Sequence, residues 1–466
     1  MQLKISAGML TPLIVATALF MENMDATVIS TSLPAIAGDL HIDPVSLKLA
    51  LTSYLVSLAV FIPISGWMAD RFGARRIFRL AIAVFMFGSL LCAFSHSLPG
   101  FVFARFVQGM GGAMMVPVGR LVIVRTTAKS DLVRALSYLT IPALLGPVIG
   151  PPLGGFISTY FHWRWIFFIN IPIGIAGIVL GGRYIANLRE DHVPPLDIVG
   201  FLLSGIGLSA LMLGLAAEGR HMMSTAAALL MTLMGSALMV LYLRHYRRCR
   251  EPLLDLSLFR LPTFHASVIG GFVFRVGIGA TPFLLPLMLQ LGFGLSPFAS
   301  GMLTCSTAIG AIFMKTIVMR VLDRFGFKRV LTVNSVLVAL SIAAYGLFRA
   351  ETPHALMLTV FVLGGCLRSL QFTSLNAIAF ADVEPARMSH ATGLSAVMQQ
   401  LAAGMGVTVG AFALQGIGWL RGHGGLVSGD FALAFVFMGG LTLCSTWLFM
   451  PLHPHAGAQL TGRRPA

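Results

Sequence analysis

The chain has 466 residues, of which 57% are hydrophobic and only 11% charged, with a mean hydropathy of +0.87. A soluble domain carries about 25% charged residues, so this mixture excludes a water-soluble surface and makes the bilayer the expected solvent. The formal charge of +15 reads as basic loops on one side of a membrane; no separate basic domain or aromatic-basic platform points to nucleic acid.

The first residues, MQLKISAG, run straight into an apolar stretch. Met9–Leu33 is too long for the apolar core of a signal peptide, and an acidic, proline-containing loop follows in place of a cleavage site, so a retained first span is expected. A spanning helix needs about 20 mostly apolar residues. That criterion marks fourteen segments: 9–33, 47–68, 76–95, 99–124, 134–158, 163–182, 197–217, 222–243, 264–290, 297–319, 328–348, 353–380, 390–416 and 431–450. With the N-terminus inside, 22 lysines and arginines fall in inside loops and tails against five outside, namely Lys48, Arg164, Arg220, Arg349 and Arg421. Basic loops stay on the cytoplasmic side, so both termini are expected there, and the even number of spans agrees. The five cysteines show no metal-ligand spacing, and neither a disulfide, a metal nor a cofactor is expected.

Taken in chain order, the first chemistry lies in LFMENMDATVIS, where an apolar span holds Glu22, Asn23 and Asp25. GWMADRFGARR follows between spans 2 and 3. Gly66 would allow close helix approach and Gly73 a tight turn, while Asp70 would cap the next helix or pair with Arg71, Arg75 or Arg76 as a latch. Span 4 carries Arg105, Gln108 and Gly109, with Arg120 nearer its inner end. A charge at membrane depth needs a partner or an aqueous cavity, whereas Arg120 can snorkel. GPVIGPPLGG in span 5 places Gly146, Gly150 and Gly154 on one face and interleaves them with Pro147, Pro151 and Pro152, with Gly155 following. This pattern suggests a kinked helix against which another element moves. Trp163 and Trp165 open span 6 as an aromatic belt would, with Asn170 and Pro172 as a packing hinge.

A repeat divides the chain. DRFGFKR places Asp323, Arg324 and Gly326 after span 10 as Asp70, Arg71 and Gly73 stand after span 2, and Arg368 with Gln371 in span 12 echoes Arg105 with Gln108 in span 4. The expected architecture is all-α and polytopic, with six-span bundles at 1–190 and 261–450. Two linking spans and a basic loop occupy 191–260, and a tail 451–466. Paired bundles are the usual basis of alternating access; a duplicated scaffold without transport is the competing reading. In the second half the buried charges are all basic, Arg275, Lys315 and Arg368, and Arg275 and Arg368 would line a cavity or stabilise a gate.

Among the 17 acidic residues only Glu22 and Asp25 fall well inside a predicted span. Three residues apart, they share neighbouring positions on one helix face. At about 1.5 Å per residue, Asp25 lies roughly 13 Å below the outer end near Pro34 and Arg105 roughly 8 Å below its own, so the two would meet while Glu22 lacks a basic partner. Burial favours the neutral form of a carboxyl and a neighbouring guanidinium the charged form. Glu22 is therefore expected to exchange a proton and to contact a cationic substrate, with Asp25 organising the site through Arg105. The alternative is that both satisfy local hydrogen bonds.

These residues together resemble the fourteen-span drug:proton antiporter branch of the major facilitator superfamily, over nearly the whole chain. The family's first-span signature looks like Asp25, Thr27, Val28, Leu33 and Pro34. Its loop signature is similar to Gly66, Asp70, Arg71, Gly73, Arg75 and Arg76. Arg105, Gln108 and Gly109 match its span 4 element, and Gly146, Pro147, Gly150, Pro151, Gly154 and Gly155 its glycine-proline motif. The resemblance implies proton-driven export of a small molecule across the bacterial inner membrane by a non-enzymatic, multi-pass protein. Its expected partners are the substrate, protons and membrane lipid, with no obligatory protein partner. A drug, a metabolite, a siderophore and an amino acid all remain open as cargo, and Glu22 is not part of the usual signature. An ion channel would need a polar filter or charged ring and a nucleotide-driven pump a phosphate loop; the sequence shows neither.

Overall fold

The computed structural model describes residues 7–126, 132–190, 193, 195–217, 224–249, 252–384, 387–422 and 427–458. Lys4, Lys129, Arg220, Arg250, Arg463 and Arg464, counted above among the loop charges, lie outside the described residues, as does 459–466 of the tail. Every regular element among the described residues is helical. In hydrocarbon each backbone N–H and C=O must find its partner within the chain, and a helix does this locally. Among the described residues, thirteen helices are long and apolar enough to cross a bilayer. Leu132–Tyr160 is a fourteenth of spanning length, at 29 residues.

In chain order the helices are α1 Ala7–Asp39, α2 Lys48–Phe72, α3 Ala74–Ala93, α4 Leu98–Thr126, α5 Leu132–Tyr160, α6 Trp165–Tyr184, α7 Ile198–Ala217, α8 Thr225–Tyr246, α9 Pro262–Gly292, α10 Pro297–Phe325, α11 Phe327–Tyr345, α12 His354–Ile378, α13 Met388–Leu420 and α14 Ser428–Phe449. Small polar residues start several of them. Ser224 accepts from the Ala227 amide at 3.3 Å and Ser296 from Ala299 at 3.1 Å, satisfying donors that a helix N-terminus leaves open. Contrary to the expected end near Leu33, α1 continues through Pro34 to Asp39. Proline removes one donor, a loss that a spanning helix tolerates. α9 is the irregular one, with π turns at Ala266–Gly270 and Met288–Gly292 and Pro286 between them.

Two compact units form, Met1–Leu253 with α1–α8 and Leu254–Ala466 with α9–α14. In the first, Val15, Met21, Phe78, Phe85, Met115 and Val118 from α1, α3 and α4 make one buried core. The α7–α8 hairpin belongs to this unit: Phe201 of α7 meets Phe61 of α2 edge-on at 5.9 Å, and Gly235 of α8 lies against the α7 backbone at Leu211. In the second, Gly310 of α10 lies against the Val362 carbonyl of α12, and Gly365 of α12 against Thr307 of α10. Small residues at such crossings let backbones approach where no hydrophobic drive separates protein from lipid.

Candidate functional site

Four helices of the first unit converge on Asp25. Arg105 of α4 donates Nη1 to Asp25 Oδ2 at 2.7 Å, with the two side chains only 1% and 2% exposed. Asp25 Oδ1 accepts from Gln108 Nε2 and from Asn170 Nδ2 of α6, each at 2.8 Å. Both amides also reach Ser89 Oγ of α3, at 2.9 and 3.2 Å, and Gln108 Oε1 accepts from Arg105 in turn. The guanidinium lies over the Tyr54 ring of α2, 4.2 Å from its centroid. A buried ion pair holds only when hydrogen bonds satisfy its remaining positions; here Asp25 accepts three. Close approach makes the geometry possible: a Cβ at Gly109 would press on the Tyr54 carbonyl and Ser57, and one at Gly88 on the Gln108 backbone.

Glu22 lies one turn of α1 away and is bonded to none of this. Its Oε2 is enclosed and has no hydrogen-bond partner among the described residues. Its carboxyl carbon lies 3.8 Å from where a side chain at Gly112 would begin, and the Tyr54 hydroxyl 3.1 Å from the same point. That hydroxyl is likewise buried without a partner. Arg120 is exposed on α4. The two carboxyls thus differ in kind, one fully bonded and one unbonded.

The glycine-proline segment faces α1. A Cβ at Gly146 would strike Asn23 and Met24, one at Gly150 Thr27, and one at Gly154 the Val28 carbonyl and Thr31. Thr31 Oγ1 reaches the Pro151 carbonyl at 3.2 Å, and Thr27 Oγ1 the Gly146 carbonyl at 3.3 Å. α5 runs as one helix past Pro147, Pro151 and the buried Gly155. Its glycine face therefore meets a neighbour inside the same unit, and that neighbour carries Glu22 and Asp25.

The loop between α2 and α3 departs from expectation. Asp70 neither caps α3 nor pairs with Arg71, Arg75 or Arg76. Its Oδ1 accepts from Arg125 at the end of α4, at 2.8 Å, and Arg125 also meets Glu190 Oε1 at 3.0 Å. The segment after α6 explains the choice: Ala74 donates its amide to the Leu188 carbonyl at 2.9 Å and Glu190 its amide to the Asp70 carbonyl at 3.1 Å, so the strap brings Glu190 to the Arg125 side. Gly73 has φ +97°, and a Cβ there would overlap Asn187. Arg75 donates to the Gly182 carbonyl at 3.4 Å, while Arg71 and Arg76 are exposed. Gly66 corrects a second expectation: a Cβ there meets nothing within 4 Å, so no helix closes on it.

The second unit repeats the frame without the acid. Asn334 of α11 donates to Gln371 Oε1 and to the Leu367 carbonyl, both at 2.8 Å. Among the described residues Arg368 donates only to the Gly364 carbonyl of its own helix, at 3.3 Å. Arg275 of α9 is 7% exposed; it bonds Asn376 Oδ1 at 3.0 Å and lies 5.4 Å from the Phe372 ring centroid. No carboxylate among the described residues pairs with either arginine. Gly326 again has positive φ, +75°; Asp323 is exposed and unpaired among the described residues, and Arg324 packs near Phe325 at 5.8 Å.

Sequence reasoning brought Asp25 and Arg105 to one depth but missed Ser89, Tyr54 and the bonding roles of Gln108 and Asn170 at Asp25. Trp163 is also corrected: it is buried and donates Nε1 to Asp39 at 3.1 Å, beside the Arg164–Asp39 pair at 2.7 Å. Of the two, Trp165 is the one exposed as a belt residue would be.

Comparison with known proteins gives the family and the fold. The Major Facilitator Superfamily profile matches residues 15–248 and 267–465. A Salmonella typhimurium protein named for multidrug resistance, MdtD, is 37% identical over 443 residues, covering 94% of this chain and 91% of that protein. Its Salmonella typhi namesake is 37% identical over 439 residues, with the same coverage. A D-xylose-proton symporter shares the fold with a TM-score of 0.71 at 14% identity, over 96% of this chain and 98% of the other. An auto-inhibited peptide transporter of the POT family does so at 0.68 and 16%, over 98% and 97%. The chain belongs to the Major Facilitator Superfamily, as a secondary active transporter of the inner membrane that crosses it many times.

Proposed function

We propose that the chain exports small amphipathic or cationic compounds in exchange for protons, by alternating access. One observation supports the reading above others: a membrane helix carries an ion-paired carboxylate, Asp25, and one turn away a carboxyl, Glu22, whose Oε2 is enclosed and unbonded. Intramembrane acids are expensive and mark proton or ion pathways. In this reading Glu22 takes a proton on one side and yields it on the other, and in its charged form meets the cationic part of the cargo. Asp25, held by Arg105, Gln108 and Asn170, keeps α1 in register with α4 and α6. Arg120 of α4 is a further candidate for coupling or cargo binding. The α1–α5 glycine seam and the loops at Asp70–Arg76 and Asp323–Gly326 carry the conformational change. The moving bodies are the bundles at 1–190 and 261–450, joined through the linking spans of 191–260. Both termini lie in the cytoplasm, the orientation that places most basic loops inside. The cargo class follows the relatives named for multidrug resistance.

A second reading, proton-coupled export of an endogenous metabolite, siderophore or amino acid, is favoured by Arg275. A buried guanidinium without a carboxylate would suit an anionic group on the cargo. Inverted membrane vesicles carrying the chain, screened with cationic dyes and with carboxylated metabolites, decide between the two. Uptake should rise when a pH gradient is imposed and vanish when it is collapsed. Uptake indifferent to the gradient for every cargo would overturn proton coupling; gradient-driven uptake of carboxylates alone would select the second reading.

A further inference from the structure

The α7–α8 hairpin carries a cluster that the transport site does not use. Asp197 stands just before α7, its Oδ1 accepting from the Gly200 amide at 2.8 Å. His245 occupies the last turn of α8, and its Nε2 lies 2.8 Å from the same Oδ1. One turn further on, the Cys249 amide still donates to the His245 carbonyl at 3.0 Å. Residues i and i+4 at a helix end leave the same face, so the imidazole and the thiol approach Asp197 together. A ligating atom from each of the three lies within 4.8 Å of the other two. The Asp197 side chain is only 6% exposed, yet its Oδ2 is enclosed without a hydrogen-bond partner among the described residues. Shutting away an unsatisfied acceptor is costly, more so when it is charged, so the carboxylate can accept one further contact.

We propose that Asp197, His245 and Cys249 form a binding site for a divalent cation of the zinc class. The donor set selects the ion. Oxygen, nitrogen and sulfur together suit zinc, whereas magnesium and calcium take oxygen ligands and reject a thiol. Three protein ligands leave the fourth tetrahedral position to water. The carboxylate and the thiolate balance the two charges of the ion, and Cys249 releases its proton to solvent as it binds. That balance matters, because Arg244, Arg247 and Arg248 stand close in sequence and would repel an uncompensated cation. Since Asp197 precedes α7, and His245 and Cys249 lie in the last turn of α8 and just past it, a bound ion clips the two helices together at one end of the hairpin. The competing state is the present His245–Asp197 bond alone, with no ion.

The full-length chain in detergent, stripped with a chelator and dialysed against Zn2+, should retain one zinc that Cys249→Ser loses. Cys249→Ser and Asp197→Asn should each weaken zinc binding at least about tenfold, the lower range seen even when an outer partner of a ligand is removed. Co2+ in place of Zn2+ should give a thiolate-to-cobalt charge-transfer band in the near ultraviolet, absent in Cys249→Ser. Should a variant elute as aggregate, alkylation of Cys249 is read instead by peptide mass mapping: Zn2+ should slow it in the wild type and leave it unchanged in His245→Gln. Equal zinc retention by wild type and Cys249→Ser would overturn the site. So would a wild type that retains no zinc, or alkylation of Cys249 indifferent to Zn2+.

Discussion

The two units place polar side chains on corresponding helices but solve the burial problem in different ways. In the first, α1 brings Asp25, α4 brings Arg105 and Gln108, α3 brings Ser89 and α6 brings Asn170, and the charges cancel within one hydrogen-bonded network. In the second, α12 repeats the Arg-x-x-Gln spacing. Its glutamine meets the neutral Asn334, its arginine turns back on its own helix, and α9 supplies Arg275 rather than an acid. The first unit contains both partners of a charge pair; the second contains cations whose counter-charge is not on the frame. A duplicated scaffold thus keeps the Arg-x-x-Gln spacing while, among the described residues, only the first half pairs that arginine with a carboxylate.

Arg105→Met gives the largest expected loss. It leaves Asp25 buried and unpaired, which costs about 3–5 kcal/mol, and thermal unfolding in detergent should register it plainly. Arg275→Met removes a buried cation with no carboxylate to orphan, so its change should be small or stabilising. Equal losses from both would break the contrast between the units. Gly150→Ala should come next, at about 1–3 kcal/mol for overpacking, because the added methyl meets Thr27. Gly66→Ala, in open space, should stay within about 0.5 kcal/mol. Between these two, Arg125→Ala breaks a half-exposed clasp with Asp70 and Glu190 and should cost at most about 1 kcal/mol, shrinking further in high salt.

The second unit has its own clasp, which sharpens the comparison through pH. Arg387 donates to Asp255 Oδ2 at 2.6 Å and also to Ser257. Burial alone would raise the Asp255 carboxyl, but hydrogen bonds from Ser257 and Arg387 outweigh it and hold the group below its usual value. A carboxyl depressed in the folded state stabilises fully above its free value of about 4 and loses that contribution as pH falls through the folded value. Hydrogen exchange at Leu256–Arg260 should therefore quicken on acidification below about pH 4, and Arg387→Gln should remove most of that dependence.

Much of the architecture was legible in the sequence because hydrocarbon imposes one requirement everywhere. An apolar run of sufficient length must be helical, and the recurrence of DRFG with a positive-φ glycine marked the duplication. The meeting of Asp25 and Arg105 was legible too, since equal depth on two helices and opposite charge leave few alternatives. Ser89, Tyr54 and Asn170 were not: isolated polar residues in apolar helices carry no signal of which direction they face. The partner of Asp70 was missed because the strap at Leu188–Glu190 comes from more than a hundred positions along the chain and redirects the carboxylate to Arg125. Trp163 looked like a lipid anchor for the same kind of reason; only the extension of α1 to Asp39 gives its indole an acceptor.

The central claim is that one helix divides its labour, with Asp25 holding the network and Glu22 carrying the proton. It is tested most directly by pH-gradient-driven transport in proteoliposomes of wild type, Glu22→Gln and Asp25→Asn, with each protein's thermal stability measured alongside. Glu22→Gln should keep near wild-type stability, since its Oε2 is bonded to nothing, and should lose gradient-driven uptake. Asp25→Asn should lose both stability and transport. Gradient-driven uptake at the wild-type level in Glu22→Gln would contradict the account.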